Sequence, residues 1–197
     1  GMRRDRAVVE DVVPLLRARA AEARGWYAAH ARPFVAQRRV DIRSIAGGTV
    51  TIGTGDVLES AWLAAQLQAA AAGELVVLAA SAGAEVVAEI ERRWRDGRPD
   101  EAYWLDRFAA AVAERLLLDA EALRGEPRSV APEQWLPHLS PGCADWGLAG
   151  QHSLMSLLLH GRGEAAIGPV RLLESGALWP PHSVLAVRGI SPGRPLQ

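Results

Sequence analysis

The apolar run at residues 75–80 (Leu-Val-Val-Leu-Ala-Ala) constrains the fold most. A short, continuously apolar segment is typical of a β-strand that is buried on both faces. Earlier in the chain, residues 40–45 and 49–52 are β-branched runs separated by Gly47 and Gly48, a spacing that predicts a β-hairpin. Near the end of the chain, two more short apolar runs predict strands, at residues 170–173 and 184–187.

Helical patterns are interspersed with these strands. Residues 11–31 predict a helix with Pro14 in its first turn, and a second helix is expected between Gly83 and Trp94. Two further helices are indicated by apolar residues at helical spacing: Leu105, Phe108, Val112 and Leu116 in one that ends at Gly125, and Leu154, Met155, Leu157 and Leu158 in another over residues 148–160. Asp56 and Glu59 also fit a capping box, which predicts that a helix begins there, directly after Gly53-Thr54-Gly55.

This order favours an α+β fold in which helices pack on a central, mostly antiparallel sheet, rather than a doubly wound parallel sheet. The 197 residues suffice for one well-buried core, so we expect a single domain over residues 2–190. Residues 191–197 are rich in proline and glycine and are expected to form a C-terminal tail. Residues 126–137, with three prolines, are expected to be extended or irregular.

Composition excludes several classes of function. A formal net charge of −1 gives no long-range field to attract nucleic acid or an anionic membrane, so neither is expected as a partner. The single cysteine cannot form an internal disulfide, and no apolar segment approaches the roughly 20 residues of a membrane span. A cytoplasmic location fits these observations best.

No catalytic residue and no metal ligand set is predicted. The sequence lacks the G-x-S-x-G elbow of many hydrolases, and Cys143 beside His138 or His152 is more economically explained as a small packing residue than as a thiolate pair. The five histidines are scattered and have no partner at metal-binding spacing.

Two segments in the last third predict a ligand site. Pro141 and Gly142 are suited to a type II turn over residues 140–143, because proline presets φ and glycine tolerates the positive φ that follows. Glu174 and Ser175 come directly after the apolar run at residues 170–173, at the expected end of a strand. Three tryptophans near these segments either line a pocket for a flat ligand or belong to the core: Trp135, Trp146 and Trp179.

From about residue 75 to residue 189 the sequence resembles the activation (reactivation) domain of vitamin B12-dependent methionine synthase, and especially its short stand-alone relatives. The resemblance is carried by residues 78–83 with the helix behind them and by residues 103–114. It continues in Ser140-Pro141-Gly142-Cys143 with Asp145, Trp146 and Gln151, and in Glu174-Ser175, Ala177, Trp179-Pro180 and Ser183-Val184. His138 stands where the family has an arginine, and Cys143 stands where it has a tyrosine.

The resemblance implies a reactivation-type protein that binds S-adenosylmethionine and supports reductive remethylation of a cobalamin carried by a corrinoid protein or a methionine synthase. Such a protein positions its ligand and needs no nucleophile of its own. The implied S-adenosylmethionine site comprises His138, Ser140, Pro141, Gly142, Cys143, Glu174 and Ser175. The alternative is a non-enzymatic interaction module that docks a corrinoid or methyltransferase partner without binding S-adenosylmethionine.

Overall fold

The structure, a computed structural model, describes residues 2–120, 133–163 and 167–192, with side chains described from residue 13 onward. Within these ranges the helices are α1 (Met2–His30), α2 (Ala61–Ala69), α3 (Glu85–Arg95), α4 (Pro99–Asp119) and α5 (Gly150–Leu159). The strands are β1 (Phe34–Ala46), β2 (Thr49–Ile52), β3 (Val57–Glu59), β4 (Glu74–Ser81), β5 (Glu133–Trp135), β6 (Arg171–Leu172), β7 (Leu178–Trp179) and β8 (Ser183–Pro192).

Six strands form an antiparallel sheet in the order β3-β2-β1-β4-β8-β5. Strand β4 lies inside this sheet, paired with β1 on one side and with β8 on the other. Every residue of β4 after Glu74 is buried, as the apolar run predicts. The hairpin of β1 and β2 turns at Gly47 and Gly48, both with positive φ, which confirms the predicted turn.

Helices cover both faces of the sheet. Alternate residues of β4 point to opposite faces: Leu75 and Val77 pack with α2 and α5, whereas Val76 and Leu78 pack with the end of α4. Helix α4 in turn packs against α1 and α3 through a third apolar cluster. The chain is therefore a single-domain α+β protein, and this prediction is confirmed.

The prediction that a helix begins at Asp56 is wrong. Val57–Glu59 is a strand that pairs with β2, and Gly53-Thr54-Gly55 forms the turn of this second hairpin. Leu58 is buried between exposed neighbours, which is the two-residue period of a strand rather than the first turn of a helix. Helix α2 begins at Ala61, and its N-cap is Ser60, whose side chain accepts a hydrogen bond from the backbone N–H of Leu63.

Several other boundaries differ from expectation. Helix α1 extends back to Met2, well before residue 11. Among the described strands, the one expected at residues 170–173 pairs with β7 alone, so that β6 and β7 form a two-stranded ribbon separate from the main sheet. Strand β8 continues to Pro192 and includes two residues of the expected tail. The predicted helix end at Gly125 and residues 126–132 lie outside the described residues.

None of the helices in the described ranges combines the length and the apolarity that crossing a membrane requires.

Candidate functional site

The Ser-Pro-Gly turn lies at an edge of the main sheet. After β5 the chain continues beside β8, where Leu139 and Val187 exchange both backbone hydrogen bonds, at 2.9 and 2.8 Å. The N–H of Cys143 then donates to the carbonyl of Ser140 at 3.3 Å, and Gly142 has φ +94°. Proline followed by a glycine at positive φ, closed by this hydrogen bond, is a type II turn, as predicted.

Trp146 fixes the turn to the core. Its indole is buried with 2% exposure. Its carbonyl accepts from the N–H of Gly142 at 2.6 Å, and its own N–H donates to the carbonyl of Cys143 at 3.0 Å. Gly150, in the first turn of α5, leaves room for the ring, because a Cβ there would lie 2.3 Å from the indole Nε1. The turn is thus held by a buried side chain and by short backbone bonds.

Asp145 ties the same segment to the start of α2. Its carboxylate accepts from the Ser60 hydroxyl at 2.7 Å and from the backbone N–H groups of Ala61 and Trp62 at 2.8 and 3.2 Å. The hydrogen bond from Ser60 is the main reason that the pKa of Asp145 lies below its ordinary value. Desolvation opposes this effect, and the hydrogen bonds from the N–H groups of Trp62 and Ala61 lower the pKa further. Asp145 and Ser60 together satisfy the free N–H groups of the first turn of α2.

His138 and Leu139 point to opposite faces of the sheet edge. Leu139 packs against the core formed with α2 and α5, whereas His138 Nε2 lies 3.3 Å from Glu114 Oε1 on α4. The His138 side chain is 25% exposed and the Glu114 side chain 55% exposed, so solvent reaches this pair. An imidazole and a carboxylate therefore lie together beside α4, next to the turn.

A second histidine and carboxylate pair lies further along the same helix. His182 Nε2 is 3.1 Å from Asp106 Oδ1, two turns of α4 before Glu114. Sequence reasoning identified neither acidic residue as part of a site, since a carboxylate on a helix is usually just solvated. The sequence feature that could have pointed to these two carboxylates is the polar face of α4, which lies opposite its regularly spaced apolar residues.

Glu174 and Ser175 form the loop of the β6–β7 ribbon. The N–H of Gly176 donates to the carbonyl of Leu173 at 2.9 Å, and Gly176 has φ +80°, which is a three-residue hairpin loop with glycine in the left-handed position. Glu174 lines a cleft of about 340 Å³ together with His152 and Ser156 of α5. Glu174 therefore lies on the α5 side of the sheet, and Ser175 follows it in the loop.

The structure brings together some of the predicted site residues. Ser140, Pro141, Gly142 and Cys143 form one turn, and His138 precedes it on the face that carries α4. Within the described residues, no hydrogen bond or ion pair joins this turn to Glu174 or Ser175. The three tryptophans do not line one site. Trp146 belongs to the core, whereas the rings of Trp135 and Trp179 stack with the guanidinium groups of Arg188 and Arg171, whose Cζ atoms lie 5.3 and 4.3 Å from the ring centroids.

The turn and its neighbours suit a ligand that carries both charges of an amino acid. The N–H groups of Gly142 and Cys143 and the carbonyls of Ser140 and Cys143 are used in backbone hydrogen bonds of this segment. The groups left for a ligand are the carbonyls of Pro141 and Gly142, the Ser140 hydroxyl and the Cys143 thiol. His138 in its protonated form would match a carboxylate, and Glu114 would match an ammonium group. In the described part of the chain, no group of three or more His, Cys, Asp or Glu residues has the arrangement of a metal site.

Comparison with known proteins identifies the fold. No family model and no curated protein matches the sequence. Among solved structures, the chain is similar to a crystal structure of the MetH reactivation domain bound to AdoHcy, with a TM-score of 0.62 and 15% sequence identity. The match covers 92% of this chain and 67% of that chain. The protein thus has a fold related to that of the MetH reactivation domain.

Proposed function

We propose that this protein is a reactivation-type domain that binds S-adenosylmethionine at the edge of its sheet and supports reductive remethylation of a cobalamin held by a partner. The ligand site in this proposal comprises the turn at residues 140–143, His138, and Glu114. The observation that carries it is the type II turn, fixed by Trp146 at the edge of a sheet whose fold matches an AdoHcy-bound domain. AdoHcy is what S-adenosylmethionine becomes when it loses its methyl group.

The His138–Glu114 pair explains how the methionine part would bind. Its carboxylate would accept from protonated His138, and its ammonium group would donate to Glu114, so that two intermolecular pairs replace one intramolecular pair. Because both side chains are partly exposed in the free protein, the exchange requires no buried charge to be uncovered. The carbonyl oxygens of Pro141 and Gly142 then offer further acceptors to the ammonium group.

The chain's contribution to the reaction is positioning. S-adenosylmethionine would bring an activated methyl group on a sulfonium and leave as AdoHcy, and the partner's cobalamin, reduced by a separate electron donor, would supply the metal that accepts the methyl group. The turn and the α4 face would hold the ligand at a fixed angle, which provides effective concentration without a nucleophile. Glu174 and Ser175, on the α5 side, are assigned no direct contact to the methionine part in this arrangement.

A docking module without the small ligand is the second candidate. It is favoured by one observation: the N–H groups of Gly142 and Cys143 and the His138–Glu114 pair already have partners within the protein. In that case the sheet edge would be kept for binding a corrinoid or methyltransferase partner.

Calorimetric titration of the full chain with S-adenosylmethionine and with AdoHcy separates the two candidates. We expect saturable binding that His138→Ala and Glu114→Gln each weaken about tenfold or more, since each loses a charge-assisted hydrogen bond of about 1.5–3 kcal/mol. The matched control is Arg115→Gln, the neighbouring position on α4, where the side chain pairs with Asp119 instead and binding should not change. Absence of any heat at millimolar ligand would favour the docking module.

A further inference from the structure

The second face of the sheet contains a cavity that the proposed S-adenosylmethionine site does not use. It has a volume of about 470 Å³ and lies between α5 and the β6–β7 ribbon. Pockets for small molecules typically measure about 300–1,000 Å³. The cleft of about 340 Å³ beside Glu174 shares Met155 and Leu172 with this cavity, so the two spaces adjoin.

Most of the side chains that line the cavity are apolar. Met155 and Leu159 come from α5, and Ile167, Val170 and Leu172 come from the segment that leads into the ribbon. Met155, Ile167 and Val170 are buried, and they belong to the main core cluster. These walls favour an alkyl chain over a polar or planar heterocyclic ligand.

Arg171 supplies one charge at this cavity. Its guanidinium stacks on the Trp179 ring, with Cζ 4.3 Å from the ring centroid. Stacking holds the plane of the guanidinium while leaving its N–H groups available around the edge. Within the described residues no carboxylate forms an ion pair with Arg171. Most of the other arginines whose side chains are described form an ion pair or a hydrogen bond. A positioned cation without a counter-ion at an apolar cavity is complementary to a monoanion with an apolar tail.

We infer that this cavity binds an aliphatic monocarboxylate, with its alkyl chain between α5 and the β6–β7 ribbon and its carboxylate on Arg171. The inference does not rest on the proposed function, because the cavity and the His138–Glu114 pair lie on opposite faces of the sheet.

The test is calorimetric titration of the full chain with hexanoate, octanoate and decanoate below their micelle concentrations. Each added methylene should tighten binding about fourfold until the cavity is full. Arg171→Gln should weaken octanoate binding about tenfold or more, while octan-1-ol binding stays unchanged. Arg17→Gln, an exposed arginine on α1, should leave both unchanged.

Leu159→Trp fills the cavity from a partly exposed position and should abolish binding of every chain length. Circular dichroism checks that the variants fold, and the chain-length series in the unsubstituted protein needs no variant. The inference is overturned if octanoate gives no saturable heat at millimolar concentration, if affinity does not rise with chain length, or if Arg171→Gln or Leu159→Trp binds octanoate as the unsubstituted protein does.

Titration with S-adenosylmethionine at saturating octanoate should give the same result as without it, so the two proposals fail separately.

Discussion

At the scale of single residues, the turn at the sheet edge depends on the contact between Gly150 and Trp146. The backbone around Pro141 and Gly142 was predictable from the sequence, because the φ preferences of proline and glycine are local properties. The contact to Gly150 was not, since nothing local shows that an indole ring fills the space where a side chain would be. The same holds for His138 and Glu114, which are separated by 24 positions and meet only through the packing of α4 on the sheet.

Gly150→Ala tests this contact. Alanine in place of glycine in a helix usually gains up to about 1 kcal/mol. Here the new Cβ would lie 2.3 Å from the indole Nε1, so we expect overpacking to lower the free energy of unfolding by about 1–3 kcal/mol. Urea denaturation measures the change. Gly147→Ala is the matched control, because a Cβ at Gly147 meets no atom within 4 Å; equal effects of the two substitutions would contradict the account.

At the scale of secondary structure elements, strand pairing prevailed over a local helix signal at residues 56–59. Asp56 and Glu59 have the spacing of a capping box, but pairing with β2 makes residues 57–59 a strand and moves the helix start beyond Ser60. The strand β4 and the amphipathic helix α4 were predictable, because their apolar patterns are strong over many residues. The β6–β7 ribbon was not predicted as a separate unit, since a two-residue strand has no distinctive pattern.

Asp145→Ala tests the cap on α2. The substitution removes the acceptor for the N–H groups of Ala61 and Trp62 and for the Ser60 hydroxyl, so α2 should exchange its first amide hydrogens faster and the protein should unfold at lower urea concentration. Hydrogen exchange at residues 61–63 is the direct measurement. Asp119→Asn, at an exposed ion pair on α4, should leave exchange in α2 unchanged. Unaltered exchange at residues 61–63 in Asp145→Ala would show that another group caps the helix.

At the scale of the whole molecule, a cluster of charges joins α1, α3 and α4. Arg93 is 3% exposed and reaches Glu89 on α3 at 2.7 Å and Glu22 on α1 at 3.4 Å. Burial alone would raise the pKa of Glu89, but hydrogen bonds from Arg92 and Arg93 outweigh burial and lower it. A hydrogen bond from Arg98 is the main cause that lowers the pKa of Glu101 on α4.

These shifts predict loss of stability in acid. A carboxylate whose pKa is lower in the folded state contributes stability that is fully present above its unfolded pKa, about 4.3 for glutamate and 3.9 for aspartate, and is lost as the pH falls through the folded pKa. The urea midpoint should therefore be constant from pH 7 to about pH 5 and fall below about pH 4. Glu101→Gln should flatten this fall, whereas a midpoint independent of pH down to pH 3 would contradict the account.

The central claim is that the sheet edge beside α4 holds S-adenosylmethionine. Titration of isotope-labelled protein with S-adenosylmethionine, followed by amide chemical shifts, tests it most directly. The account predicts saturable shifts concentrated at residues 138–143 and around Glu114, which diminish in His138→Ala. Shifts confined to the α5 cavity, or no saturable shifts at millimolar ligand, would contradict it.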